Sequence, residues 1–126
     1  MVGVPNHPDW LTFARSLTND NNSPRVIIYI NIRLSSFQFL LCKDIFNHKD
    51  ISLVSFFNNS IIFFLMNIYS DSSQSALKYL KNTKANICNV LVMTGNFNIR
   101  DNLWNPLYPH HLPFSDHFFE IADSFN

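Results

Sequence analysis

The amino-acid sequence predicts an α+β fold, with a mostly antiparallel sheet and helices on one face. Three observations predict it: several strand-like apolar segments, a strong hairpin signal, and an amphipathic helical segment between two of the strands. The chain has 126 residues, of which 47% are hydrophobic. It is therefore long enough to bury a real core, and it forms one domain at most.

The first part of the chain differs in character from the rest. Its prolines and its polar, asparagine-rich composition are typical of loops. Residues 8–17 are compatible with a short helix that places Trp10, Phe13 and Leu17 on one face. Two regions are therefore expected: a loop-rich lead-in, residues 1–24, and a domain, residues 25–126.

Val, Ile and aromatic residues dominate the segments that are predicted as strands. These segments are residues 25–34, 51–57, 60–69 and 89–94. Asn58 and Asn59 predict a tight hairpin turn between the second and the third of them. The last segment is apolar throughout, which favours a central position in the sheet. Residues 37–46 fit either a strand or a buried irregular piece.

Residues 71–86 have the pattern of an amphipathic helix. Asp71 or Ser72 is a suitable cap for its beginning. Its moderately apolar stripe is formed by Ala76, Leu77, Leu80, Ala85 and Ile87. A last helix is expected after Phe114, with Ser115 as its cap.

The charge balance gives no sign of a nucleic-acid binder. Nine basic and nine acidic residues give a formal net charge of zero, whereas such proteins usually have a basic excess. The basic side chains that either touch a phosphate backbone or form dispersed surface charge are Arg25, Arg33, Lys43, His48 and Lys49.

The sequence contains no pattern for secretion or membrane insertion. A basic region followed by an apolar run is missing from the N-terminus, so no signal peptide is expected. The longest apolar run, residues 61–66, is far shorter than the roughly 20 residues that a membrane-spanning helix needs. The expected location is intracellular, in the nucleus or the cytoplasm, without a membrane partner.

The most informative segment is residues 89–98. Its apolar run ends in Gly95, and two polar residues, Asn96 and Asn98, follow at positions i and i+2. This layout is typical of a buried strand that delivers two side chains to one face of an active site. The only other glycine is Gly3, so Gly95 is expected to mark a backbone constraint at the end of the strand.

Three motifs in order resemble the endonuclease/exonuclease/phosphatase family. They are Asn67 and Tyr69 at the end of a strand, the helix that follows directly, and residues 94–98 (TGNFN). Trp104, shortly after the last motif, resembles the endonuclease domain of LINE-type (non-LTR) retrotransposons in particular. The resemblance covers about residues 25–126. It implies a four-layer α/β sandwich, of which this chain would supply about half, and Mg²⁺-dependent hydrolysis of phosphodiesters in DNA.

The resemblance also implies a set of catalytic residues. Tyr69 matches the family Tyr near the scissile phosphate, and Asn98 matches the Asn that orients the phosphate or the nucleophile. Asn96 stands where the family has its catalytic Asp, and an amide cannot take a proton from water. The family's early metal-binding Glu is also missing, because the only Glu of this chain is Glu120. The expectation is a truncated copy without activity, metal ligands or cofactor, although the family uses Mg²⁺.

Further residues are implied as contacts to the substrate. Asn67 flanks the site strand, and Arg100 and Trp104 follow the last motif. Trp104 is suited to stacking on DNA or, equally, to anchoring a loop on the core.

The C-terminal part contains a group of polar residues that has two interpretations. Residues 115–117 (SDH) spell the family's last motif or form a helix cap with incidental neighbours. The group either binds Zn or Mn or lies in a solvated loop. Its members are His110, His111, Asp116, His117 and Glu120.

Three functions follow as hypotheses. The first is an inactive remnant of a retrotransposon-type endonuclease domain, with weak or absent DNA binding. The second is a weak residual phosphodiesterase that uses a carboxylate such as Asp101 or Asp116. The third is a small non-catalytic interaction module whose motif match is accidental. A partial sandwich would also expose sheet faces and strand edges, so self-association is expected.

Overall fold

A computed structural model describes residues 6–14, 25–83, 90–97, 107 and 121 of the chain. These residues contain strands, one α-helix and a short 3-10 helix at Ile32–Leu34. In chain order, the elements are β1 (Trp10–Ala14), β2 (Ile27–Asn31), β3 (Gln38–Leu41), β4 (Ile51–Phe57), β5 (Ile62–Tyr69), α1 (Ser75–Asn82) and β6 (Val90–Asn96).

The strands form two sheets. The larger has the order β3-β4-β5-β6, and the smaller is an antiparallel ribbon of β1 and β2, which we call the ribbon. In the larger sheet β3, β4 and β5 are antiparallel neighbours, whereas β5 and β6 are parallel. The connection between two parallel strands must cross over the sheet, and α1 lies in this connection. The fold is therefore α+β, mostly strand with one helix among the described residues.

The larger sheet has a hydrophobic core on each face, and β4 contributes apolar side chains to both. Ile51 and Leu53 pack with α1 on what we call the helix face. Val54 and Phe56 pack with β2 on the opposite, ribbon face. Successive side chains of a strand point to opposite faces, so one strand contributes to both cores. The layers in order are α1, the larger sheet and the ribbon.

The hairpin between β4 and β5 confirms the sequence prediction. The Asn58 N–H donates to the Ile61 carbonyl at 3.1 Å. The Asn58 Oδ1 accepts from the N–H groups of Ser60 and Ile61, at 2.9 and 3.0 Å. An Asn side chain that bonds to its own turn in this way explains why the sequence signal was correct.

The helix predicted at residues 8–17 is wrong, because Trp10–Ala14 is strand β1 and pairs with β2. Phe13 packs on the ribbon-face core. The spacing of Trp10 and Phe13 suggested a helix, but pairing with β2 buries Phe13 and satisfies the backbone at once. Tertiary pairing therefore overrides a weak local pattern.

The position of one strand in the sheet and the length of another also differ from the sequence prediction. In the part of the chain that the structure describes, β6 is the last strand of the sheet rather than a central one, and Val92 is 40% exposed. Its apolar run serves the helix face mainly through Val90, which is buried, and Met93. The ambiguous segment 37–46 contains strand β3. The strand predicted at residues 25–34 is shorter and ends in the 3-10 helix.

The helix α1 begins at Ser75, later than predicted, and neither Asp71 nor Ser72 caps it. The residue before it is Gln74, which has a left-handed backbone (φ 57°) and makes no side-chain cap. Asp71 instead accepts a hydrogen bond from the Ser73 N–H at 3.0 Å. The carboxylate thus caps the turn that precedes the helix.

Two other predictions concern the chain ends and membranes. The last helix, expected after Phe114, lies outside the described residues except for Ile121, which is buried in the helix-face core. Of the helices in the described ranges, none has the length and apolar character needed to cross a bilayer.

Gly95 lies at a close approach of β6 to β5. It is the register partner of Ile68 and has a φ of +149°. A Cβ built on Gly95 would lie 1.9 Å from the Ile68 carbonyl oxygen. The backbone constraint expected at this glycine is therefore real, and its cause is contact with a neighbouring strand.

Gly95→Ala is expected to lower the free energy of unfolding by at least ~2 kcal/mol, since both the strained φ and the clash with β5 oppose a Cβ. Denaturant unfolding of the variant measures this loss. Val92→Ala, on the same strand and partly exposed, is the matched control and should cost about 1 kcal/mol or less. Equal losses in the two variants would contradict the close approach.

Candidate functional site

Polar residues form a row across three strands of the larger sheet. The register aligns Ser52 of β4 with Asn67 of β5, and Asn67 with Thr94 of β6. The Thr94 Oγ1 donates to the Asn67 Oδ1 at 3.2 Å. The Asn67 Nδ2 donates to the Ile27 carbonyl of the ribbon at 3.1 Å, so this row lies on the ribbon face.

A second polar row lies one step further, at the carboxyl ends of β5 and β6. Tyr69 and Asn96 are partners in the parallel register. Because side chains two residues apart share a face, both lie on the same side as Asn67 and Thr94. The Ser70 N–H donates to the Asn96 carbonyl at 2.7 Å. The carboxyl ends of the two strands are thus joined directly.

A buried carboxylate stands beside this second row. Asp50 is completely buried, and its carbonyl accepts from the Tyr69 N–H at 2.9 Å. Arg25 binds its carboxylate with two nitrogens: Nε donates to Oδ1 at 2.6 Å, and Nη2 donates to Oδ2. A bidentate contact of this kind is the strongest arrangement for a guanidinium and a carboxylate. It compensates a charge that would otherwise be very costly to bury.

Arg25 makes two further contacts. Its Nη2 donates to the Asp71 Oδ2 at 3.2 Å. Its guanidinium carbon lies 4.7 Å from the centre of the Tyr69 ring, within the range of a cation–π interaction. We call Arg25, Asp50, Tyr69 and Asp71 the Arg25 cluster.

Contacts within the Arg25 cluster stabilise the charged forms of Arg25 and Asp71. Hydrogen bonding to Asp50, with a smaller contribution from Asp71, raises the pKa of Arg25 above its ordinary value against the opposing effect of desolvation. The hydrogen bond from Ser73, and then that from Arg25, hold the pKa of Asp71 below its ordinary value. Two carboxylates thus face one guanidinium.

Three of the sequence-predicted site residues lie together. Asn67 and Tyr69 are on one face of β5, and Asn96 is beside Tyr69 on β6. Asn96 is exposed and Tyr69 is half-buried. The remaining predicted residues, Asn98, Arg100 and Trp104, lie outside the described residues. So do the polar residues considered as a C-terminal metal site, His110, His111, Asp116, His117 and Glu120.

Sequence reasoning missed Thr94, Ser52 and Asp50 in this region, and it named Arg25 only as a phosphate contact or as dispersed surface charge, whereas the structure pairs it with Asp50. Thr94 could have been found, because it precedes Asn96 by two positions on a predicted strand and so shares its face. Ser52 could have been found by aligning the predicted hairpin. The pairing of Arg25 with Asp50 had no local sequence signal, since the two residues are 25 positions apart and meet only when β2 and β4 pack.

The described side chains offer no ready metal site. In residues 6–14, 25–83 and 90–97, no three His, Cys, Asp or Glu residues come together. Among the described carboxylates, Asp50 and Asp71 lie beside Tyr69 in the Arg25 cluster, and both already bind Arg25. The chemistry available here is hydrogen bonding by amides, hydroxyls and one phenol.

No family model, curated protein or solved structure matches this chain. The family suggested by the three motifs is therefore a hypothesis.

Arg25→Met is expected to lower the free energy of unfolding by ~3 kcal/mol or more, because it leaves the buried Asp50 without a cation. Denaturant unfolding measures the loss. Arg33→Met, at an exposed arginine, should change it by about 0.5 kcal/mol or less. Adding Asp50→Asn to Arg25→Met should recover part of the loss, since the uncompensated charge is then gone. An additive double variant would refute this explanation.

Asp71→Asn is expected to destabilise the protein at neutral pH but not in acid. The folded-state pKa of Asp71 is lowered, so its carboxylate stabilises the fold above its unfolded-state pKa of ~3.9, and the stabilisation disappears as the pH falls through the folded-state value. Denaturant unfolding near pH 7 and at about pH 2.5 tests this. Asp44→Asn, at an exposed loop position, is the control. A difference between wild type and Asp71→Asn that is the same at both pH values would contradict the prediction.

Proposed function

We propose that this chain is a degenerate endonuclease/exonuclease/phosphatase domain of the LINE retrotransposon type that no longer hydrolyses phosphodiesters. The observation that carries the proposal is the position of Tyr69 and Asn96. They are register partners at the carboxyl ends of adjacent parallel strands, on one face with Asn67. Three of the residues that the motifs single out thus lie together, and the one in the position of the catalytic Asp is an amide.

The arrangement of the layers also supports this proposal. A four-layer sandwich has two sheets face to face with helices outside. The described residues have α1, the larger sheet and the ribbon in consecutive layers. The motif order of strand, helix and strand corresponds to β5, α1 and β6.

The proposed loss of activity follows from the chemistry of the site. Phosphodiester hydrolysis in the family needs hard oxygen ligands for Mg²⁺ and a group that orients or deprotonates water. The Asn96 amide cannot act as a base. Asp50 and Asp71 are bound to Arg25, so a metal ion would have to displace the guanidinium from the buried Asp50 or from the partly exposed Asp71. The described donors therefore do not fit Mg²⁺, and we derive no metal-dependent step.

Weak or absent DNA binding is part of the same proposal. The chain has no net charge, and the Arg25 cluster presents two carboxylates against one cation. Phosphate binding depends on a local excess of positive charge. A site of this composition disfavours a DNA backbone.

A second candidate function is a non-catalytic interaction module. It is favoured by the described apolar side chains that are more than half exposed, which are Leu40, Ile61, Ile62 and Leu107, at 59%, 54%, 54% and 93%. Ile61 and Ile62 adjoin each other after the β4–β5 turn, and contiguous exposed apolar area is typical of interaction surfaces.

Purified protein is expected to leave supercoiled plasmid intact with Mg²⁺ or Mn²⁺, at the rate of a Tyr69→Phe, Asn98→Ala double variant. The reason is that the described part of the site has neither a metal ligand set nor a base. Gel electrophoresis of the plasmid measures nicking. Nicking by the unmodified chain that disappears in the double variant would overturn the inactive assignment and favour a weak residual phosphodiesterase.

Asn96→Asp tests whether the lost acid alone explains the inactivity. No nicking is expected in this variant either, because the early Glu of the family is still missing. Mg²⁺-dependent nicking in Asn96→Asp would contradict the proposed extent of decay while supporting the assignment to the family.

A further inference from the structure

Strand β3 lies at one end of the larger sheet, opposite to β6. In the described part of the chain, no strand pairs with its outer edge. Residues 37–42 (FQFLLC) contain no charged residue and no proline. Natural proteins usually protect such an edge with lysine, proline or a bulge, because its backbone groups are a template for another strand. This edge lacks those protections.

The hydrogen bonds of β3 determine which backbone groups point outward. The Cys42 N–H donates to the Leu53 carbonyl of β4 at 2.8 Å. Since antiparallel pairs alternate, Leu40 and Gln38 also bond to β4, and the backbone groups of Phe37, Phe39 and Leu41 point away from it.

Two of these outward groups already have partners. The Phe37 N–H donates to the Leu34 carbonyl at 3.0 Å, and the Leu41 carbonyl accepts from the Lys43 N–H at 3.2 Å. The groups that remain are the N–H of Phe39 and Leu41 and the carbonyls of Phe37 and Phe39. No backbone partner for them lies in the described residues.

We propose that a second copy of this chain pairs with this edge, antiparallel, about a twofold axis through Phe39. In that register the two Phe39 residues exchange a pair of hydrogen bonds. Each Leu41 N–H meets the Phe37 carbonyl of the second copy. All the remaining edge groups are thereby used, and the two groups that are already bonded fall opposite each other.

The neighbouring registers fit less well. An axis through Gln38 sets the engaged Phe37 N–H against a Phe39 carbonyl. An axis through Leu40 sets the engaged Leu41 carbonyl against a Phe39 N–H. The free groups therefore select one register, and an edge that is complementary to itself points to a second copy as the partner.

The side chains agree with this pairing. Phe39 and Leu41 pack into the ribbon-face core, so Leu40 and Gln38 lie on the helix face. In the proposed register Leu40 lies opposite Gln38 of the second copy, and the two Leu40 side chains are diagonal neighbours. Leu40 is 59% exposed in the single chain and no like charges meet across the axis. Pairing would continue the sheet across the axis and cover Leu40.

The oligomeric state of the full chain is the first test. Light scattering over a roughly hundredfold range of concentration is expected to show a monomer that becomes a dimer. In the same samples, amide exchange at Phe39 and Leu41 should slow by about tenfold or more in the dimer, while that at Gln38, already bonded to β4, should change little. A monomer at every concentration would overturn the proposal, as would a dimer in which the Phe39 and Leu41 amides are unaffected.

Leu40→Lys is expected to give a monomer under conditions in which the unmodified chain is a dimer, because two lysines would be diagonal neighbours across the axis. Tyr29→Lys, at an exposed position of the ribbon, is the matched control and should remain a dimer. A monomeric Tyr29→Lys beside a dimeric Leu40→Lys would move the interface to the ribbon and overturn the proposal. Circular dichroism reports whether each variant folds. If Leu40→Lys does not fold, the amide exchange of Phe39 and Leu41 in the unmodified chain decides whether the proposed pairing occurs.

Discussion

The buried ion pair of Arg25 and Asp50 is the interaction on which the arrangement of the layers depends. A carboxylate with no solvent exposure needs a cation and further hydrogen bonds. Arg25 precedes β2, and Asp50 precedes β4, so satisfying this charge brings the ribbon onto the larger sheet. The Asn67 amide, which donates to the Ile27 carbonyl, adds a second polar link between the same two layers.

The same pair limits what the site is able to do. Its cation also binds Asp71 and lies against Tyr69, so both carboxylates of the Arg25 cluster are engaged by one guanidinium. A hydrolytic site needs a free carboxylate that holds a metal or accepts a proton. Here the Asp50 carboxylate stabilises the packing of the layers through Arg25. The other polar side chains of the described site are amides, hydroxyls and one phenol. In the proposed function, this use of the charged groups accounts for the loss of hydrolysis.

The two sides of the larger sheet differ in how their strands are constrained. Between β5 and β6, Gly95 allows an approach that any side chain would prevent, and the polar residues of the site meet at this junction. At β3, the outer edge has no strand partner among the described residues, and the strand is uncharged. The proposed pairing with a second copy lies at this open edge, so association and the candidate site occupy separate parts of the sheet.

The sequence by itself determined the elements whose signals are local. Asn58 specifies its turn through its own side chain, the apolar stripe of Ala76, Leu77 and Leu80 places α1, and the spacing around Gly95 identifies the end of β6. Tertiary structure decided the rest: that residues 10–14 are a strand rather than a helix, that β6 is the last strand among the described residues, and that Arg25 meets Asp50. These outcomes depend on pairing between segments far apart in the chain, and neither periodicity nor propensity carries that information. The alternation of a strand put Tyr69 and Asn67 on one face, but only the parallel register of β5 and β6 put Asn96 beside them.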